Sequence, residues 1–228
     1  MNTSATLSLP EFEVLWEDLR TGPIPYPFDI PTHGATLPER ARLKADVHAD
    51  LERRGLAHRQ RPEPELEDAL RLLANPGTSI TVLGLPDRGG LLRALVAARG
   101  RRVVVAVQQD DGVRLDLLRE VSPAQAAVGV LPPRPPGPGR AVTVPASALQ
   151  EQHRTSAHDD VRALQRMLAG PVTGTGHLTA RPSGQAVTWI DTPRGRYASV
   201  GTDWLTVAPA DPAALVRRLS RALAPPAR

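Results

Sequence analysis

Nine consecutive residues at 131–139, Leu-Pro-Pro-Arg-Pro-Pro-Gly-Pro-Gly, constrain this chain more than any other stretch. Proline fixes φ and carries no amide hydrogen, so neither a helix nor an interior strand can pass through such a run. Residues 132–139 therefore read as a linker near the middle of the chain. It leaves halves at about 7–131 and 140–228, which the pattern places within one domain.

The two halves follow one plan. In the first, Thr36 and Glu39 have the spacing of a capping box, and Leu43, Val47 and Leu51 follow on one helical face until Gly55 can end it. A second helix opens at Pro64, buries Leu66, Ala69, Leu70 and Leu73, and stops at Asn75-Pro76-Gly77. Strand chemistry comes next: Ser79–Leu83, then Leu91–Arg99, which periodicity leaves open between helix and strand and the short Arg99-Gly100-Arg101 connection assigns to strand. Arg102–Gln108 follows, and Gln109–Gly112 reads as a hairpin turn with Gly112 at positive φ. Val113, Leu115 and Leu117 then alternate with Arg114 and Asp116.

In the second half, helical segments between Pro145 and Ala169 precede strands at Val172–Ala180, Gln185–Asp191, Gly195–Val200 and Trp204–Val207. A last helix is capped by Asp211 with Pro212 at its first position. Residues 36–131 and 145–223 thus look like two copies of one supersecondary unit. The expected fold is α+β: a pseudo-twofold repeat forming a central antiparallel β-sheet flanked by two helical bundles. Before them, Leu7–Leu19 is apolar with acidic residues between, and Pro23, Pro25 and Pro27 force an extended path after it.

Composition excludes several functions. With no cysteine, disulfide frameworks, Cys-containing zinc knuckles and thiol nucleophiles are ruled out. Lys plus Arg is 28 against 24 for Asp plus Glu, a net charge of only +4, and Lys44 is the lone lysine. The arginines are spread along the chain and aromatics are 3%, which argues against a nucleic-acid face. Met1–Pro10 lacks the charged and apolar regions of a secretory signal, and no apolar run approaches the roughly 20 residues of a spanning helix. The chain reads as soluble and cytoplasmic, without membrane insertion.

No catalytic constellation assembles. Gly84–Gly90 has the outer glycine spacing of a P-loop, but Gly90 and Leu91 stand where the lysine and hydroxyl belong. It reads as an inter-strand turn, and no cofactor is expected. Gly174-Thr175-Gly176 reads as a bulge within a strand. His153 and His158, next to Asp159 and Asp160, diverge by roughly 140° on a helix and make a poor metal pair. Asp191 and Asp203 read as turn-forming aspartates, and Arg194 and Arg196 as a solvated hairpin tip around Gly195. Trp16, Trp189 and Trp204 read as core. The residues alone describe a protein that binds another protein.

Several segments in order resemble a known family. They are Leu9-Pro10-Glu11-Phe12-Glu13-Val14-Leu15-Trp16, Pro25-Tyr26-Pro27, His33-Gly34-Ala35-Thr36 with Glu39-Arg40, and Arg53-Arg54-Gly55-Leu56. Late in the chain come Asp191-Thr192-Pro193-Arg194-Gly195-Arg196-Tyr197 and Val207-Ala208-Pro209-Ala210-Asp211. This order resembles the EspG family, cytosolic chaperones of type VII (ESX) secretion in actinobacteria. The resemblance implies binding to secreted helical substrates such as PE–PPE heterodimers, whose apolar tip is kept from self-associating, and no catalytic residue. By analogy the partner contacts fall on the turns carrying Asp87, Arg88, Arg99 and Arg101. The alternatives are a structural or homodimerising protein of the secretion locus and, less in keeping with the sequence, a small-molecule enzyme.

Overall fold

In the computed structural model, residues 3–149 and 159–224 are described. The expected α+β class is borne out: ten strands lie in antiparallel array, with six α-helices among the described residues. The chain divides into two units, one of residues 1–79 and 93–126, the other of residues 80–92 and 127–228.

The first unit opens with β1 (Thr3–Ser8) and α1 (Leu9–Asp18), where the sequence suggested only an apolar stretch. Ser8 caps α1 reciprocally. Its hydroxyl accepts from the Glu11 amide at 3.3 Å, and the Glu11 carboxylate accepts from the Ser8 amide at 2.7 Å. Next come α2 (Leu37–Arg53), β2 (Ala57–His58), β3 (Arg61–Pro62) and α3 (Pro64–Ala74). The capping box expected at Thr36 and Glu39 is present, and Gly55 takes φ +67° after the helix.

The strands of this unit are β5 (Leu92–Arg99), β6 (Arg102–Gln108) and β7 (Gly112–Arg119), paired in the order β1-β7-β6-β5. Leu91–Arg99 is thus a strand apart from its first residue. Gly112 does not have the positive φ expected of it. It is glycine because any Cβ there would collide with the Leu7 carbonyl of β1. The core buries Leu7, Phe12, Leu15, Leu51, Leu70 and Leu73 between the helices and the strand face holding Leu95, Val104 and Leu115.

Charged side chains stitch α1 to α2. Arg40 pairs with Glu13 at 2.9 Å and with Glu17, Lys44 bridges Glu17 and Asp18, and His48 meets Asp18 at 2.9 Å. Burial pushes the Glu13 carboxyl up, but hydrogen bonds from His33 and Arg40 outweigh it and hold it below its ordinary value. Hydrogen bonds from Lys44 and Arg40 lower Glu17 in the same direction.

The second unit contains most of β4 (Thr78–Leu85), followed after α4 (Pro123–Gly129) by β8 (Val142–Pro145), a 3₁₀ turn at Ala146–Leu149 and α5 (Asp159–Met167). Four strands and a helix complete it: β9 (Gly174–Arg181), β10 (Ala186–Thr192), β11 (Gly195–Val200), β12 (Trp204–Pro209) and α6 (Pro212–Leu223). Their order is β4-β9-β10-β11-β12-β8. The strand β8 was not foreseen. Val142, Val144, Val161, Leu164, Met167, Tyr197 and Val207 form one core cluster, and α6 turns Leu215, Leu219 and Ala222 inward.

Two glycines serve a different purpose from the one expected. Register between β9 and β10 is one-to-one from Gly174 to Thr179, so Gly176 is no bulge. A Cβ on Gly176 would strike the Trp189 ring and the Leu83 carbonyl, and one on Gly84 would strike the same ring and the Thr175 carbonyl. The pair clears space for fully buried Trp189 to lie across two adjacent strands. Trp204, by contrast, is 63% exposed and not core, because it opens β12 opposite Pro145 of the edge strand β8.

Candidate partner-binding surface

One end of the second unit collects irregular segments: the loop after β4, residues 172–173 before β9, the β10–β11 turn and the proline-rich stretch. Ladder geometry places them together, since Gly174 pairs with Asp191 and Thr192 with Gly195. Trp204 stands at the opposite end of the same strands, beyond the Val200–Thr206 pair.

A buried ion pair underlies this end. Asp191 and Arg196, 2% and 3% exposed, face each other across β10 and β11. The Arg196 guanidinium donates from Nε and Nη2 to the two Asp191 carboxylate oxygens at 2.7 and 2.8 Å. A bidentate fork satisfies both charges in a site closed to water. These residues are therefore neither a turn aspartate nor a solvated tip. Sequence reasoning missed them, although two opposite charges flanking a short Pro193-Arg194-Gly195 turn are the available signal for a cross-strand pair.

The backbone of Arg196 ties in further segments. Its amide donates to the Pro135 carbonyl at 2.8 Å, and its carbonyl accepts from Gly137 and Ala210 at 3.0 Å each. Tyr197 donates its hydroxyl to the Pro138 carbonyl at 3.1 Å. The proline-rich stretch is irregular, as its residues demand, yet it is fastened to β11.

Arg134, within that stretch, reaches the loop after β4. It pairs with Asp87 at 2.8 Å and donates to the Thr173 hydroxyl at 3.2 Å and the Thr192 carbonyl at 2.6 Å. Asp87 is thus held, while the neighbouring Arg88 is exposed. Around this network Leu85 (58%), Leu91 (42%) and Val172 (54%) expose apolar surface. Leu85 and Leu91 are the two ends of the loop; Val172 sits beside it, as Gly174 approaches the Leu85 carbonyl and Asp87 amide. Three exposed aliphatic side chains beside a hydrogen-bonded network form a surface suited to an apolar partner.

The other two expected contact residues lie in the first unit. Arg99 and Arg101 flank the turn that follows β5, whereas Asp87 and Arg88 precede that strand. Arg99 donates to the Asn75 carbonyl behind α3, and Arg101 approaches Glu120 at 3.6 Å. Asp87 and Arg88 thus belong to the second unit, Arg99 and Arg101 to the first.

Among the described residues, no group of three His, Asp or Glu side chains could hold a metal ion. Asp159 pairs with Arg162 and Asp160 with Arg140, and His153 and His158 lie outside the described residues. No helix of the described residues is long and apolar enough to cross a membrane.

The sequence of this α+β chain, with its apolar-rimmed loop end, is matched over residues 8–221 by the model of the EspG family. The chain belongs to the EspG family. Among solved structures it is similar to the Mycobacterium tuberculosis type VII secretion system chaperone EspG5, determined in complex with a PE25–PPE41 dimer. That similarity has a TM-score of 0.70 at 17% identity and covers 97% of each chain. No curated protein is matched.

Proposed function

We propose that this chain is a cytosolic chaperone of a type VII secretion system, binding helical secretion substrates of the PE–PPE kind and keeping them soluble until export. The observation that carries this reading is the family match over nearly the whole chain, joined to a full-length likeness to EspG5, itself a chaperone bound to a PE25–PPE41 dimer. The work is binding, not bond chemistry. A client's exposed apolar tip gains free energy by leaving water, and Leu85, Leu91 and Val172 offer a matching surface. Asp87 and Arg88 supply polar contacts at its rim, and Arg99 and Arg101 provide a second contact region.

Fully burying an aliphatic side chain of this size contributes about 1.5–3 kcal/mol. Replacing both Leu85 and Val172 with aspartate is therefore expected to weaken client binding by more than tenfold. Co-expression with helical secreted proteins encoded beside its own gene, followed by affinity purification, tests the reading. A soluble complex with one of them, lost in the double aspartate variant, supports it. Capture of none, with the chaperone folded, overturns it.

A further inference from the structure

A recess lies in the first unit, between α3 and the ends of β5, β6 and β7. Its volume is about 410 Å³, within the range of built ligand sites. Leu72 and Leu117 contribute apolar lining, and four guanidinium groups surround them: Arg71 from the helix, Arg99, Arg102 and Arg119 from the strands. Two carboxylates, Glu65 and Asp68, also line it, so the lining carries a positive excess.

The internal partners leave this positive charge accessible. Arg102 meets Asp68 at 2.7 Å, but both side chains are more than half exposed. Arg119 stands 3.8 Å from Glu65, again with both well exposed. Arg71 pairs with Glu67 along the helix, and Arg99 donates to the neutral Asn75 carbonyl. Exposed pairs of this sort contribute little and exchange readily for an incoming carboxylate. A guanidinium also has more N–H donors than one carboxylate accepts, so each arginine can hold its present partner and a new one together.

We infer that this recess docks an acidic, leucine-bearing segment of a protein partner. The arginine fork matches carboxylate geometry, and the Leu72–Leu117 floor accepts an aliphatic side chain. A phosphate polymer fits less well, because Glu65 and Asp68 would face its backbone and no aromatic side chain lines the recess for base stacking. The recess is built wholly within the first unit, whereas Leu85, Leu91 and Val172 belong to the second; it shares Arg99 with the second contact region proposed above and to that extent rests on that reading.

The test uses the full chain and a fluorescein-labelled peptide, Asp-Leu-Glu-Glu-Leu-Asp, followed by fluorescence anisotropy. A peptide with Asn and Gln in place of Asp and Glu, a single-stranded oligonucleotide and inorganic polyphosphate serve as comparisons. The inference expects the acidic peptide to bind, to weaken as salt rises, and to lose roughly tenfold or more in affinity on combining Arg102→Glu with Arg119→Glu. Both residues are solvent-exposed, so the fold should survive, which circular dichroism checks. Arg217→Glu, at an exposed position of α6 in the second unit, should leave binding unchanged. No binding, equal binding of the neutral peptide, tighter binding of the oligonucleotide or polyphosphate, or an undiminished affinity in the double variant would each overturn it.

Discussion

Replacing Asp191 with alanine removes one member of the only ion pair among the described residues in which both side chains are below 5% exposure. Arg196 would then carry its charge at 3% exposure, with two hydrogen bonds lost. Breaking one side of such a pair costs about 3–5 kcal/mol, a large part of the 5–15 kcal/mol that holds a typical fold. With a urea dependence of about 3 kcal/mol per molar, the unfolding midpoint should fall by about 1–1.7 M. Tyrosine and tryptophan fluorescence reports it directly, since Trp189 and Tyr197 are buried in the same unit. A companion variant, Asp191→Leu with Arg196→Met, removes both charges and should recover most of the loss, because two apolar groups leave nothing unpaired. A cost below about 1 kcal/mol for the single variant, the level of a surface pair, would refute the reasoning. So would strictly additive losses in the double variant.

Further expectations follow from the same geometry. Gly176→Ala should destabilise by about 1–3 kcal/mol through collision with Trp189 and strand backbone, whereas Gly90→Ala, with nothing within 4 Å, should be near neutral; thermal melts distinguish them. Thr36→Ala should cost about 1 kcal/mol by emptying the cap of α2, measured by chemical denaturation. Glu13 and Glu17 both have lowered values in the fold, so their contribution is complete above the ordinary glutamate value of about 4.5 and disappears as pH falls through the lowered folded values. Melting temperatures followed downward through that window should drop less steeply in Glu13→Gln than in the unmodified protein; parallel curves would contradict the assignment.

Much of the fold is legible where the signal is local. The Thr36 box, the Pro64 and Pro212 helix starts and the β-branched run at Val103–Val107 each act through neighbours in sequence, and the structure has them where they were expected. Ser8-Leu9-Pro10-Glu11 carries the same cap signature as Thr36, but the apolar residues around it hide the change from strand to helix. Gly84, Gly112 and Gly176 are required by chains that arrive from elsewhere, and nothing beside them in sequence distinguishes such a glycine from a turn glycine. The edge strand β8 is four residues long, too short for alternation to register. At the proposed partner surface, analogy with the resembled family drew attention to Asp87 and Arg88. Of the apolar residues beside them, Leu85 falls within the expected turn and Leu91 and Val172 at the starts of expected strands, and nothing local in the sequence marks any of the three as exposed.

The central claim is that this protein shields a client's apolar end, and static light scattering of a purified PE–PPE-like client measures that most directly. An equimolar amount of this protein should hold the client at the mass of a discrete complex, while the Leu85→Asp/Val172→Asp variant should let it aggregate as it does alone. Equal aggregation with and without the folded, unmodified protein would contradict the account.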